Sequence, residues 1–229
     1  MRNLDSNRNW ISNLSNEVQT LIDEISIFKT LNKGETLYEV KANGDYLFQI
    51  VSGRIEARIP YENGASVLLD ILTPGDCFGE IQFIREEVFL ASYIAAAKTV
   101  IRQIPRQDFL AIQKQHPEIN EQWLKQFAER LNTGITMYSN YAAQRLPARI
   151  ATRLYYEIRK GQECEEVLQT VDLNITQENL ADILGSSRDS ISKIFKLWAE
   201  EGIIKLGYGR VTILDAKRLL QLSAIPPKT

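Results

Sequence analysis

The chain has 229 residues, room for two modest domains with cores of their own, and its 44% hydrophobic and 24% charged residues are ordinary for a globular protein. No apolar run approaches the roughly 18 residues of a membrane-spanning helix, and the polar N-terminus lacks the apolar stretch of a secretory leader, so the cytoplasm is the expected location. The net charge of −2 does not by itself suggest a nucleic-acid partner, yet residues 145–229 hold 13 Lys/Arg against 11 Asp/Glu while residues 1–144 hold 14 against 18, a small polarity that suits a DNA-facing C-terminal part.

From Gly34 to Ile104 short apolar stretches alternate with turn residues: Tyr46 to Val51, Ser52-Gly53, Arg54 to Ile59, Asn63-Gly64, Val67 to Leu72, Pro74-Gly75-Asp76. Several short strands at this spacing predict a β-sandwich or rolled barrel. Ile55, Ala57 and Ile59 alternate cleanly onto one face. From Arg106 the period turns helical, and Pro117 suits the first turn of a long helix. Leu124, Ala128, Leu131, Ile135, Tyr138 and Ala142 step by four and three, a heptad seam that predicts self-association into a homodimer. Trp123 and Phe127 are expected to bury in their own domain instead. Pro147 is expected to interrupt the helix as a hinge, with a second helix over Ala148 to Arg159 and a polar stretch over Lys160 to Asp172.

Thr176 to Lys196 reads as a helix-turn-helix. Gln177 to Leu184 forms the first helix, Gly185 the turn, and Ser186 or Ser187 caps the second helix. Leu180, Ala181, Leu184, Ile191 and Ile194 hold the two together, and Arg188, Asp189, Ser192 and Lys193 fall on one outward face. Ile203 to Leu206, Gly207-Tyr208-Gly209 and Arg210 to Leu214 then predict a β-hairpin wing, and residues 225–229 a disordered tail.

In this order the elements resemble the CRP/FNR family of bacterial transcription regulators. The resemblance covers about residues 34–214 and rests on Leu47 to Gly53, Pro74 to Glu80, Ile175 to Glu178, Leu184 to Arg188 and the wing. It implies an α+β architecture: a cyclic-nucleotide-binding-like β-roll over residues 1–116, a dimerisation helix over 117–146, and a winged helix-turn-helix DNA-binding domain over 147–229. The implied partners are double-stranded DNA, a second copy of the chain, and RNA polymerase through the acidic loop Gly161 to Thr170; no membrane is implied. Arg188 can fork to guanine O6 and N7, Asp189 can accept from a cytosine amine, Lys193 can donate to guanine, and Ser192 can reach a base or phosphate. The family's reading triplet is Arg-Glu-x-x-x-Arg; here Asp189 replaces the Glu and Lys193 the second Arg, so the half-site is related without being identical. Thr176, Gln177 and Lys196 are the candidate phosphate contacts.

The effector pocket, by resemblance, involves Gly79, Glu80, Leu90, Ala91, Arg130 and Gly134. In cAMP-responsive relatives a Gly-Glu glutamate holds the ribose, and an Arg-Ser pair ten and eleven residues later grips the phosphate. Glu80 is present, but Leu90 and Ala91 occupy the Arg-Ser positions, Ser92 has no arginine beside it, and Arg85 comes five residues too early. After Arg130-Leu131 the adenine-binding Thr-Ser is replaced by Gly134-Ile135. The sequence therefore argues against cAMP. It also argues against an iron–sulfur cluster, since Cys77 and Cys164 fall short of four thiolates, and against haem, since the one histidine, His116, reads as part of a helix-start segment. No metal site is expected. With Val88 to Ala91 apolar, the pocket is either filled by its own side chains or open to an apolar ligand. No catalytic constellation emerges, and an enzyme is not expected. The competing reading is a cyclic-nucleotide-binding signalling module whose DNA domain has degenerated.

Overall fold

The computed structural model describes residues 8–38, 44–61, 66–159, 170–207 and 209–223. The chain divides into two compact units, Met1–Ala128 and Glu129–Thr229.

The first unit opens with a 3-10 turn, Trp10–Asn13, and helix α1, Asn16–Glu24. Strands follow at Ile27–Leu31 (β1), Thr36–Tyr38 (β2), Tyr46–Ser52 (β3), Ile55–Pro60 (β4), Ser66–Leu72 (β5) and Cys77–Phe78 (β6). A short helix α2, Glu80–Arg85, precedes β7 (Ser92–Ala95) and β8 (Thr99–Pro105); helix α3, Arg106–Gln115, leads into α4, Glu118–Ala143. The strands form two four-stranded antiparallel sheets, ordered β1-β8-β3-β6 and β2-β7-β4-β5. This is the rolled β-domain that the turn spacing predicts.

Strand alternation then assigns residues to two cores. Leu47, Cys77 and Ile104 face a helical layer of Trp10, Val18, Ile22, Phe83, Phe109, Ile119 and Trp123. Their neighbours Phe48, Phe78 and Ile101 face the other way, into the roll, beside Ile55, Leu72 and Ala95 of the second sheet. The central strand β3 is thus buried on both faces, which is why Leu47 to Ile50 reads as a continuous buried run, while the edge strand β1 is largely exposed. On the helical side Arg102 is nearly buried, and donates to Ser26 Oγ (2.7 Å), Gln49 Oε1 (3.3 Å) and the Asp23 carboxylate; Gln49 in turn donates to Asn9 Oδ1 (2.8 Å). Burying these groups is tolerable because they bond one another. Ser15, the cap of α1, donates its amide (2.9 Å) and hydroxyl (2.6 Å) to Glu118 at the start of α4, and those bonds hold the Glu118 carboxyl below its ordinary pKa.

Inside the roll five aromatic rings close a circuit. Centroid separations run Tyr38–Phe48 5.3 Å, Phe48–Phe78 4.9 Å, Phe78–Tyr93 4.8 Å, Tyr93–Phe89 5.4 Å and Phe89–Tyr38 5.1 Å. Stacked and edge-on pairs at these separations contribute beyond area burial alone.

The second unit contains the end of α4, helix α5 (Leu146–Arg159), strand β9 (Val171–Leu173), helices α6 (Gln177–Leu184) and α7 (Arg188–Glu200), strands β10 (Ile204–Gly207) and β11 (Arg210–Ile213), and helix α8 (Ala216–Leu222). Its core joins Ile150, Leu154 and Ile158 of α5 to Leu180, Ile191, Phe195, Trp198, Ile213 and Leu219, all buried. Two details depart from the sequence reading. Pro147 does not make the break: α4 ends at Ala143, and Pro147 sits in the first turn of α5, where its missing N–H costs no helical hydrogen bond. The polar stretch before the helix-turn-helix ends in β9, which pairs with β11 as a third strand of the wing sheet. The tail and most of the acidic loop lie outside the described residues.

Phe89 is fully buried and closes the aromatic circuit. Phe89→Ala is expected to lower stability by about 3–5 kcal/mol in urea denaturation, the cost of a large core truncation. A loss below about 1 kcal/mol would mean that the roll interior is not packed as a core.

Candidate nucleic-acid interface and effector pocket

The helix-turn-helix is built from its helix ends. Thr176 caps α6 by accepting from the Asn179 amide (3.0 Å), while its own amide donates to Asn179 Oδ1 (3.2 Å), a reciprocal capping box. At the other end Gly185 takes a left-handed backbone (φ 56°), so that Ser186 N reaches Ala181 O (2.9 Å) and Gly185 N reaches Asp182 O (3.4 Å). That pair of bonds is a Schellman stop, and it turns the chain directly into the next helix. Ser187, rather than Ser186, caps α7 by accepting from the Ser190 amide (3.1 Å). Ile191, Phe195 and Trp198 bury one face of α7 at helical spacing.

Arg188, Asp189 and Lys193 stand exposed on the first two turns of α7, with Ser192 half-buried among them and Lys196 exposed one turn further on. Arg188, Asp189 and Lys193 make no side-chain hydrogen bond or ion pair among the described residues. Their forks and charges are available to a partner, at the helix end where the macrodipole is positive. Thr176 is different. Its single hydroxyl proton goes to Asn179 Oδ1 (2.9 Å) and its amide to the same oxygen, so it has no donor left for a phosphate. A cap and a phosphate contact use the same residue type, and in the free chain Thr176 serves as the cap. Gln177 lies beside it at the first position of α6, half-buried.

The wing is real, with β10 and β11 in register from Ile204↔Ile213 to Gly207↔Arg210 and Lys205 and Arg210 exposed along it. Arg210 lies 3.7 Å from Asp172 of β9. Both side chains are more than half exposed, so water screens that pair.

Along α4 the predicted seam is open to solvent within the single chain. Leu124 is 69% exposed, Leu131 66%, Ile135 57% and Tyr138 76%, with Ala128 and Ala142 also exposed. Trp123, by contrast, is buried and Phe127 packs on the same helical-layer core, as their positions off the seam predict.

The candidate pocket residues of the first unit differ in exposure and in bonding. Gly79 caps α2 with φ 99°, and a Cβ there would stand 3.0 Å from Tyr46 O, so its glycine is required by the backbone alone. Glu80 is buried and accepts from Trp10 Nε1 at 3.1 Å. Trp10 belongs to the helical-layer core, on the opposite side of the sheet from the aromatic circuit. Ala91 is buried, but Leu90 is 70% exposed: Phe89 and Ala91 turn inward and the residue between them turns out, so Leu90 lines no enclosed site. Arg85 is also on the surface, where it forks onto Glu87 (2.8 and 2.6 Å). Arg130 and Gly134 lie on α4 in the second unit. Burial raises the Tyr38 phenol above its ordinary pKa, with Asp45 adding to the shift, so this ring of the circuit stays neutral. Trp10 had no sequence signal of its own, since a lone indole in a polar N-terminal stretch is indistinguishable from a surface residue.

For cofactors, Cys77 is a buried free thiol, Cys164 lies outside the described residues, and His116 joins α3 to α4, its amide donating to Ile112 O (3.1 Å). Among the described residues no group of three or more His, Cys, Asp or Glu could hold a metal ion, and no helix is long and apolar enough to cross a membrane.

Residues 28–116 match the cyclic nucleotide-binding domain family, and residues 148–222 the Crp-like helix-turn-helix domain. The transcriptional regulator SdrP of Thermus thermophilus is 30% identical over 183 residues, 78% of this chain and 84% of that protein. The CRP-like cAMP-activated global transcriptional regulator of Mycobacterium tuberculosis is 27% identical over 187 residues, 82% and 84% of the two chains. FixK2 from Bradyrhizobium japonicum shares the fold, with a TM-score of 0.76 at 18% identity over 88% of this chain and 99% of that one. Both domain matches, in this order and on these elements, identify the chain as a member of the CRP/FNR family of sequence-specific DNA-binding transcription regulators.

Proposed function

We propose that two copies of this chain join along α4 and read a palindromic duplex with Arg188, Asp189, Ser192 and Lys193, without control by cAMP. The observation that carries the reading is the exposed, internally unpaired row on the first turns of α7. Arg188 forks to a guanine, Asp189 accepts from a cytosine amine, Lys193 donates to guanine, and Gln177 and Lys196 hold phosphates that set register. Such a protein works where the chromosome is, in the cytoplasm, and is not an enzyme.

Dimerisation is supported by the open seam. Each of Leu124, Leu131 and Ile135 gains about 1.5–3 kcal/mol on burial, and a contiguous apolar stripe on one helix is a surface that water does not favour. Two winged units tied to one dyad address half-sites about 34 Å apart, one turn of DNA.

Independence from cAMP is supported by three observations. The roll interior is occupied by the five-ring circuit, Glu80 is engaged by Trp10 on the other face of the sheet, and Arg85 is paired on the surface. A buried cyclic phosphate would lack its cationic partner. A relative 27% identical to this chain is named as cAMP-activated, so the absence of cAMP control rests on this chain's own pocket. The three observations favour the filled roll over one open to an apolar ligand. The complete capping and packing of the helix-turn-helix speaks against a degenerate DNA domain.

Arg188→Ala is expected to cost about 1–3 kcal/mol on a selected operator and to relax preference at one base pair, measured by fluorescence anisotropy; unchanged affinity and preference would remove Arg188 from the interface. Leu131→Asp is expected to convert dimers to single subunits in analytical ultracentrifugation, whereas a monomeric wild-type protein would refute the seam. Calorimetry with cAMP and with cGMP is expected to show no binding in the micromolar range, and saturable heat there would overturn the filled-roll reading.

A further inference from the structure

The last turn of α4 meets the helix-turn-helix through Tyr141 and Arg149. The Arg149 guanidinium, from the first turns of α5, lies 4.0 Å above the Tyr141 ring of α4 and donates through Nη2 to Leu184 O. Leu184 is the last residue of α6. The Tyr141 hydroxyl reaches the same turn, 3.5 Å from where a Cβ on Gly185 would stand. Beside it Asn140, itself buried, lies with Oδ1 3.4 Å from the hydroxyl of Thr152 of α5, whose proton goes to Ser223 O (2.5 Å).

The chemistry suits the position. The final carbonyls of a helix have no partner within it and carry the negative end of its dipole, so a cation that donates there is favoured twice. An arginine can do this while its flat face stacks on a ring, which a lysine cannot reproduce. Only Gln144 and Arg145 separate α4 from α5, and nothing in two backbone residues holds one helix at a chosen angle to the other.

We infer that Arg149 is a positioning residue that sets the spacing of the recognised half-sites. It acts through Leu184 O and the turn before α7, clamped on Tyr141, and so fixes the direction of the recognition helix relative to the dimerisation helix. This rests on the dimeric reading above. Base preference within a half-site belongs to α7, whereas the distance between half-sites belongs to the clamp.

The test uses the full-length protein, an operator selected from random duplexes, the same operator with its half-sites moved by one and two base pairs either way, and a single half-site duplex. Wild type is expected to lose about tenfold or more when the half-sites move, because simultaneous engagement fails. Arg149→Met is expected to bring the cognate and shifted operators within about threefold of each other, leaving affinity for the single half-site unchanged. Tyr141→Leu, which removes the platform and keeps the arginine, is expected to flatten the series in the same way, and decides the matter if Arg149→Met does not fold. An unchanged spacing preference in the folded variants would overturn the clamp. So would an equal loss on every duplex with a salt slope reduced by about one, which would make Arg149 a phosphate contact. A wild-type protein that selects no palindrome would instead refute the dimeric reading on which the clamp depends.

Discussion

Helix α4 runs for 26 residues, roughly 39 Å at the ordinary rise, and that length governs what the rest of the chain can do. A domain of about a hundred residues has a radius of gyration near 13 Å, so a single unit of this size cannot cover such a helix from end to end. Its first turns are covered, with Ile119 and Trp123 buried in the helical layer of the first unit. Its last turn is covered by α5 through Asn140 and Tyr141. Between them the apolar seam stands exposed among the described residues. The second copy proposed above would bury that seam against its own.

The interior of the β-roll is lined by aromatic side chains. Strand alternation sends Phe48 and Phe78 inward and Leu47 and Cys77 toward the helices, and Tyr38, Phe89 and Tyr93 complete a packed ring. The Gly-Glu step has structural work of its own. Gly79 is required by a left-handed backbone pressed against Tyr46 O, and Glu80 receives the indole N–H of Trp10. A buried carboxylate that lost this donor would incur a desolvation cost, so the N-terminal segment and the start of α2 stabilise each other.

The DNA-binding unit depends on economical helix ends. The capping box at Thr176, the Schellman stop at Gly185 and the cap at Ser187 satisfy orphan groups at the ends of two helices joined by a three-residue turn. With the backbone satisfied locally, the outward side chains of α7 remain uncommitted, as recognition requires. The Arg149 contact to Leu184 O adds a long-range partner to the same turn, where helix-end chemistry and domain orientation meet.

Much of this was legible in the residues alone. Period-two and period-3.6 patterns marked the roll, the long helix and the helix-turn-helix, because burial of one face imposes its repeat on any chain that folds that way. The apolar stripe on α4, exposed in the structure, was readable for the same reason. What the tertiary structure decided were matters of direction and distance. Thr176 became the cap of α6, Leu90 pointed out where Phe89 pointed in, and Val171–Leu173 joined the wing sheet. Trp10 found Glu80 seventy residues away, and Arg149 found Leu184 thirty-five away. Local sequence encodes local repeat and helix ends, but which distant donor meets which acceptor is set only when the cores close and bring them within 3 Å or so.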